Sequence, residues 1–383
     1  MSHPVPFAIE LPPDVVADLR QRLSATRWPD RETVDDWSQG APLSFVQELC
    51  RYWQDGYDFV AAEQRLNAYP QFRTEVSADG ESLGIHFVHV RSPEPHALPI
   101  VLTHGWPGSI VEFLGVIGPL TDPRAHGGDA SDAFDVVVPS LPGYGWSDKP
   151  AVTGWGVQRI ARAWDDLMGG LGYHRYGAQG GDWGAMVTAS LGQQVPSERL
   201  VGIHLNMAIA GPDEETSGDL TPAEQAALAD MGEHAAWGMG YSSQQSTRPQ
   251  TLGYGLADSP AGQCAWIVEK FWAWTDCGGD PQRALSRDQM LDNVMAYWVP
   301  GTAASSARLY WESFRDAGTG PVDLPTGISV FPREIIRPSR RWAERRFTDL
   351  RWFNELDAGG HFAAFEQPAA FVEEVRNFFR LVR

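Results

Sequence analysis

The chain has 383 residues, 43% of them apolar and 21% charged, and carries a formal net charge of −19 at pH 7. Such a composition is globular, and the length allows one large domain or two ordinary ones. The acidic balance argues against nucleic acid and anionic membranes as partners, because phosphate binding needs a basic patch.

No apolar run approaches membrane-spanning length, and Met1-Ser-His-Pro-Val-Pro6 lacks the basic and apolar regions of a signal peptide. Cys50, Cys264 and Cys277 are too few and too scattered for a disulfide framework or a zinc site. Reduced thiols in a cytoplasmic protein are therefore expected. Lysine occurs only at Lys149 and Lys270, a bias to which the sequence attaches no function.

In chain order, Val15, Val16, Leu19 and Leu23 stand at helical spacing until Thr26-Arg-Trp-Pro-Asp30 breaks it. Phe45, Leu49, Tyr52 and Trp53 mark a second helix. The polar turn Ala78-Asp79-Gly80 separates Phe72–Val76 from Leu83, Ile85, Phe87 and His89, which predicts an antiparallel hairpin. From about residue 97 the pattern becomes strand, loop, helix. Its strands are Ile100–Thr103, Phe134–Val138, Tyr173–Ala178 and Leu200–Leu205. Apolar runs without alternation predict a parallel sheet covered on both faces. Strand signals fade after Gly211 and return at Ile328–Phe331 and Leu350–Phe353, with a final helix from Pro368. The expected organisation is an N-terminal extension over 1–96, an α/β core over 97–210 and 322–383, and a helical lid over 211–321. Such a lid would cover the carboxyl ends of the strands, where α/β proteins bind ligands.

Gly180-Gly181-Asp182-Trp183-Gly184 lies between a strand and the helical Ala185–Ser190. A small-x-nucleophile-x-small run there predicts the strained elbow of the α/β-hydrolase fold. Read by itself, the run also fits an ordinary turn with Asp182 as a helix N-cap. An aspartate nucleophile brings its own carbonyl, so its substrate needs only an electrophilic saturated carbon and a leaving group. Epoxides and haloalkanes fit; ordinary esters and peptides do not. Hydrolysis of the resulting ester needs a base, an orienting acid and an oxyanion hole. His361 follows the last strand and Glu334 the penultimate one, in the chain order of this fold. Asp349, Glu355 and Asp357 compete with Glu334. The amides of Trp106, in His104-Gly-Trp-Pro-Gly-Ser109, and of Trp183 are the expected oxyanion donors.

Together with Thr26–Pro29, Leu66–Phe72 and Gly359-Gly-His-Phe-Ala-Ala-Phe-Glu366, these motifs make the chain resemble the microsomal-type epoxide hydrolases along nearly its whole length. The resemblance implies Asp182 as nucleophile, His361 as base and Glu334 as acid partner. It also implies two lid tyrosines that protonate the opening epoxide. Gly240-Tyr241-Ser-Ser-Gln-Gln245 resembles the segment bearing the first, and Gly301-Thr302 through Tyr310 the segment bearing the second. Tyr241, read as part of a Gly-rich loop, and Tyr310 are the residues so implied, with Tyr254 and Tyr297 nearby. No metal and no organic cofactor are expected. The mammalian members' membrane-anchor helix has no counterpart here, which points to a soluble enzyme.

The expected partner is a small epoxide, without nucleic acid or membrane; a homo-oligomer is compatible with the sequence. Trp237, Trp266, Trp272, Trp274, Trp298 and Trp311 suggest a sizeable apolar pocket for aryl or alkyl epoxides, or simply a lid core. Trp28, Trp37, Tyr52 and Trp53 are expected to hold the N-terminal arm as a brace. Two other functions fit part of the pattern: an aspartate-nucleophile dehalogenase, and an inactive binding protein of the same fold.

Overall fold

The computed structural model describes residues 3–314 and 319–383. Met1, Ser2 and residues 315–318, which the sequence reading assigned to the extension and the end of the lid, lie outside the described residues.

The N-terminal arm begins with β1 (Val5–Phe7) and three helices. Helix α1 (Pro13–Ser24) carries proline in its first turn, where the missing N–H costs nothing. Helix α2 (Leu43–Asp55) buries Val46, Leu49, Cys50 and Trp53, one face at helical spacing. Helix α3 (Phe59–Leu66) is capped by Asp58, whose carboxylate accepts the amides of Val60 and Ala61. Neither β1 nor α3 was legible in the sequence. The first has three residues, two of them exposed, and the second buries only Ala62 and Leu66.

Strands β2 (Gln71–Ala78) and β3 (Glu81–Val90) form the expected hairpin. Asp79 and Gly80, at φ 55° and 79°, supply the left-handed turn that matches strand twist. The alternation then runs β4 (Leu98–Thr103), α4 (Leu114–Thr121), β5 (Phe134–Pro139), α5 (Val157–Gly170), β6 (Tyr176–Gly180), α6 (Trp183–Gln194) and β7 (Leu200–Leu205). One sheet results, in the order β1-β2-β3-β5-β4-β6-β7, to which β8 (Thr326–Val330) and β9 (Leu350–Glu355) add at the far edge. It is antiparallel as far as β5 and parallel beyond. Every residue of β6, β7 and β8 is buried, as runs without alternation require. The strand expected from Tyr173 starts at Tyr176 instead. Tyr173 turns aside, its hydroxyl donating to Asp135 at 3.0 Å.

Between β7 and β8 stand α7 (Pro222–Glu233), α8 (Gly240–Thr247), α9 (Pro249–Asp258), α10 (Pro260–Trp274), α11 (Arg287–Trp298) and α12 (Ala303–Ser313). Capping boxes at Thr221/Glu224 and Ser286/Gln289 start α7 and α11, and first-turn prolines start α9 and α10. Tyr241 lies in α8, not in a loop. A π-helical turn, His234–Gly238, carries the helical backbone almost to Gly240, so the glycines do not break it. The chain closes with α13 (Arg340–Arg346), α14 (Ala363–Glu366) and α15 (Pro368–Phe379). Among the described residues no helix is long and apolar enough to cross a membrane.

Polar contacts join the arm to this helical insertion. Arg22 bonds Asp258 at 2.8 Å, the Tyr52 hydroxyl donates to Asp288 at 2.6 Å, and Arg65 reaches Asp292 at 2.7 Å. Trp37 stacks on Trp272 at 5.1 Å, and Trp53 is fully buried. Trp28, expected to brace the arm, is instead 37% exposed. The thiols of Cys50 in α2 and Cys264 in α10 meet across the same seam, and that hydrogen bond, with burial, raises the Cys264 pKa.

The Asp292 carboxylate is 4% exposed, with Arg65 and the Tyr57 hydroxyl as partners. Removing the cation from a buried pair strands the other charge. We expect Arg65→Met to cost about 2 kcal/mol in urea unfolding, the usual figure reduced because Arg65 is one-third exposed. An unchanged midpoint would mean that the pair contributes nothing.

Candidate active site

Strand β6 delivers its last residues into Asp182, which has φ 51° and ψ −130°, and α6 starts at once with Trp183. Only Asp79 shares a positive φ among the described non-glycine residues. The surrounding glycines are required by close approach. A Cβ on Gly180 would collide with the Gly184 carbonyl, one on Gly184 with the Thr103 carbonyl, and one on Gly105 with the Asp182 carboxylate itself. Asp182 makes no capping bond to α6, which removes the N-cap alternative. Its Oδ1 accepts the Trp106 N–H at 2.8 Å, and its Oδ2 lies 3.3 Å from His361 Nε2. Of the two amides expected to line the oxyanion hole, only that of Trp106 bonds the carboxylate among the described residues.

His361 is held from three sides. Its backbone N–H donates to the Trp274 carbonyl at 2.9 Å, and its Nδ1 meets Glu334 Oε1 at 2.7 Å. The loops that carry the two residues are themselves bridged, Arg333 N–H to Gly359 carbonyl at 3.1 Å. Burial alone would lower the imidazole pKa, but the carboxylates of Glu334 and Asp182 more than reverse this and hold it well above the ordinary value. The competing acids stand elsewhere: Asp349 pairs with Arg351, and Glu355 and Asp357 are exposed.

Tyr241 and Tyr310 both come to this place from the insertion. The Tyr241 ring stacks on Trp106 at 5.0 Å and 10°. Tyr310 stands edge-on to Trp183 at 4.8 Å and to Tyr241 at 5.7 Å. The Tyr310 hydroxyl is buried beside Tyr241 and Trp183. Burial first, and then the charge of Asp182 among its neighbours, raises both phenol pKa values. Tyr254 is 72% exposed, and the Tyr297 hydroxyl is committed to the Gly108 carbonyl at 2.6 Å.

The tryptophans of this stretch take different places. Trp237 is 87% exposed, Trp272 serves the arm, and only Trp274 among the six packs on His361, at 5.0 Å. A cavity bounded by Asp182, His361, Asn206 and Glu112 leaves a water-sized sphere about 10 Å³ in which to move, room for one water. A groove of about 470 Å³ lies apart from the triad, beside Trp155, Arg308 and Trp311. Glu112 was missed by the sequence reading. Its signal is a lone carboxylate in the apolar run Ile110-Val-Glu-Phe-Leu114. Burial pushes its carboxyl up to about 8. Among the described residues no cluster of His, Cys, Asp or Glu could hold a metal ion.

The chain matches the family described as "Epoxide hydrolase N terminus" over residues 4–113 and that described as "alpha/beta hydrolase fold" over residues 99–229. A relative from Stigmatella aurantiaca, whose name places it among the epoxide hydrolases, is 56% identical over 99% of this chain and 85% of its own. Epoxide hydrolase 1 of Sus scrofa is 33% identical over 98% of this chain and 88% of its own. The solved structure of the Aspergillus niger epoxide hydrolase superposes with a TM-score of 0.88 at 31% identity, covering 100% of this chain and 97% of that one. The juvenile hormone epoxide hydrolase of Bombyx mori gives 0.87 at 29%, covering 100% and 96%.

A carboxyl with a raised folded-state pKa stabilises the protein below its ordinary value, and that stability is lost as pH rises through the folded value. Between 4.5 and about 8 the wild type should lose stability that Glu112→Gln, with nothing to ionise, retains. Urea midpoints across that window should diverge by more than about 1 kcal/mol at the alkaline end. His361, also raised, leaves a common slope in both proteins. Parallel curves would put the titration elsewhere.

Proposed function

The chain belongs to the microsomal-type epoxide hydrolases, and from that premise we propose that it opens its epoxide through a covalent ester on Asp182. The observation that carries the reading is the carboxylate held at both oxygens, by the Trp106 amide at 2.8 Å and His361 Nε2 at 3.3 Å. Held there, it can present an oxygen to a saturated carbon near the mouth of the elbow.

In the first step an Asp182 oxygen bonds to an epoxide carbon and the C–O bond of that carbon breaks. The ring oxygen takes a proton from a phenol, Tyr241 or Tyr310. Supporting this role, both phenols are buried beside Asp182, whose charge reaches each of them. The phenolate recovers its proton from the imidazolium of His361.

Esterification also alters the base. It removes the charge of Asp182, one of the two carboxylates that raise the imidazole pKa, so His361 gives up its proton more readily. Neutral His361 then takes a proton from water, and the hydroxide attacks the ester carbonyl. The Trp106 amide stabilises the oxyanion, a donor worth ~10²–10³ in rate. When the ester breaks, the proton remaining on the added oxygen passes to the leaving alkoxide. Asp182 is again a carboxylate, His361 again an imidazolium, and the product is a vicinal diol. Glu334 holds the imidazole by Nδ1 throughout.

We propose α7–α12 as the lid, and an epoxide bearing an aryl or alkyl group as substrate, since the rings of Trp106, Tyr241, Trp274 and Tyr310 pack into one aromatic cluster joined to Asp182 through the Trp106 amide. Three free thiols favour a cytoplasmic location.

Asp182→Ala should form no diol from an aryl epoxide. His361→Gln should accumulate protein heavier by one epoxide, because the ester forms and is not cleaved. Intact mass measurement reads this directly, and rapid diol release by the His361 variant would sink the scheme. Tyr241→Phe and Tyr310→Phe should each slow ester formation by ~10²-fold, seen in a single turnover.

A further inference from the structure

Of the chain's 30 cationic side chains all but two are arginine, and one of the two lysines is buried beside the proposed acid. The Lys270 side chain, on α10, is 7% exposed. Its ammonium lies 4.6 Å from the centroid of the Tyr241 ring and 5.5 Å from that of Trp274. The Tyr241 ring also stacks on Trp106 at 5.0 Å, so the phenol has both an indole and a cation against it. Other charged or titratable groups near the pair are Glu269, which ion-pairs with Lys270, the His234 ring, and the carboxylates of Asp182 and Glu334.

A buried cation carries a desolvation cost, so one placed here calls for a compensating interaction. Packing does not require a charge, because a methionine would fill the same space. Two electrostatic effects do follow from this position. The ammonium is attracted to the negative face of the ring, which orders Tyr241. It also favours the phenolate over the phenol, since an opposite charge within ~4–6 Å stabilises the ionised form. Burial and the Asp182 carboxylate act the other way, making the phenol a poor proton donor at the moment a donor is needed. Glu269, the partner of the ammonium, adds to that raising effect, and the ammonium itself opposes it.

We propose that Lys270 is a positioning residue for epoxide opening, acting through Tyr241 by holding its ring and stabilising the phenolate that forms as the proton leaves. The inference rests on Tyr241 being a proton donor. It assigns Lys270 to ester formation alone, because ester cleavage uses His361 and the Trp106 amide.

The test is a double-mutant cycle between Lys270→Met and Tyr241→Phe, with single-turnover rates for ester formation and ester cleavage resolved separately by stopped-flow tryptophan fluorescence. Lys270→Met keeps the packing and removes the charge. It should slow ester formation about tenfold in the parent, leave ester cleavage unchanged, and add little further loss in the Tyr241→Phe background. Lys270→Arg, which keeps a cation, should retain most of the parent rate and controls for folding. Equal losses in both backgrounds, or no loss in the parent, would overturn the role of Lys270. A Tyr241→Phe protein as fast as the parent would instead remove Tyr241 as the donor, a separate failure visible in the same data.

Discussion

The Asp182 backbone, at φ 51°, sets the terms for the rest of the active site. A non-glycine residue in that region is strained, and the surroundings must over-determine it. They do so by crowding. Gly180 and Gly184 allow β6, α6 and the end of β4 to approach so closely that a methyl group on either would collide with main chain. From the elbow its carboxylate lies against Gly105 and accepts the Trp106 amide. The loop after β4 and the loop after β6 are therefore one unit, and a change in either displaces the reacting oxygen.

Trp106 extends that unit upward. Its N–H meets Asp182 while its indole supports Tyr241, which in turn meets Tyr310 and Trp274. A single residue so joins the floor of the site, made by the sheet, to the roof, made by the insertion. Trp274 closes the circuit by accepting the His361 backbone N–H on its carbonyl. Asp182, His361 and Tyr241 thus share a support, although the chain segments that carry them are far apart in sequence.

Much of this was legible in the residues. The parallel strands announced themselves because buried strands have no polar alternation, and the candidate residues because each follows the carboxyl end of a parallel strand. Asp182, Glu334 and His361 could be picked out from that rule together with the glycines. Less was legible in the insertion. Tyr241 was read into a loop because glycines weaken helices, and a π-helical turn that absorbs them leaves no mark in the sequence. The tryptophans misled for a related reason: an indole reads as apolar whether it lines a cavity, stacks on Trp37 or faces solvent. Glu112 escaped because a single charge in an apolar segment has no periodicity, and Lys270, though noted, carried no sign of its neighbours. Only the fold reveals what such a charge stands beside.

The arm has a mechanical consequence. At one end β1 is stitched to the edge of the sheet, and at the other α1–α3 are pinned to α9 and α11 by Arg22, Tyr52 and Arg65. It therefore works as a strut across the hinge line between sheet and insertion. A strut anchored on both bodies resists wholesale swinging of one away from the other, and directs thermal motion into short segments and side chains.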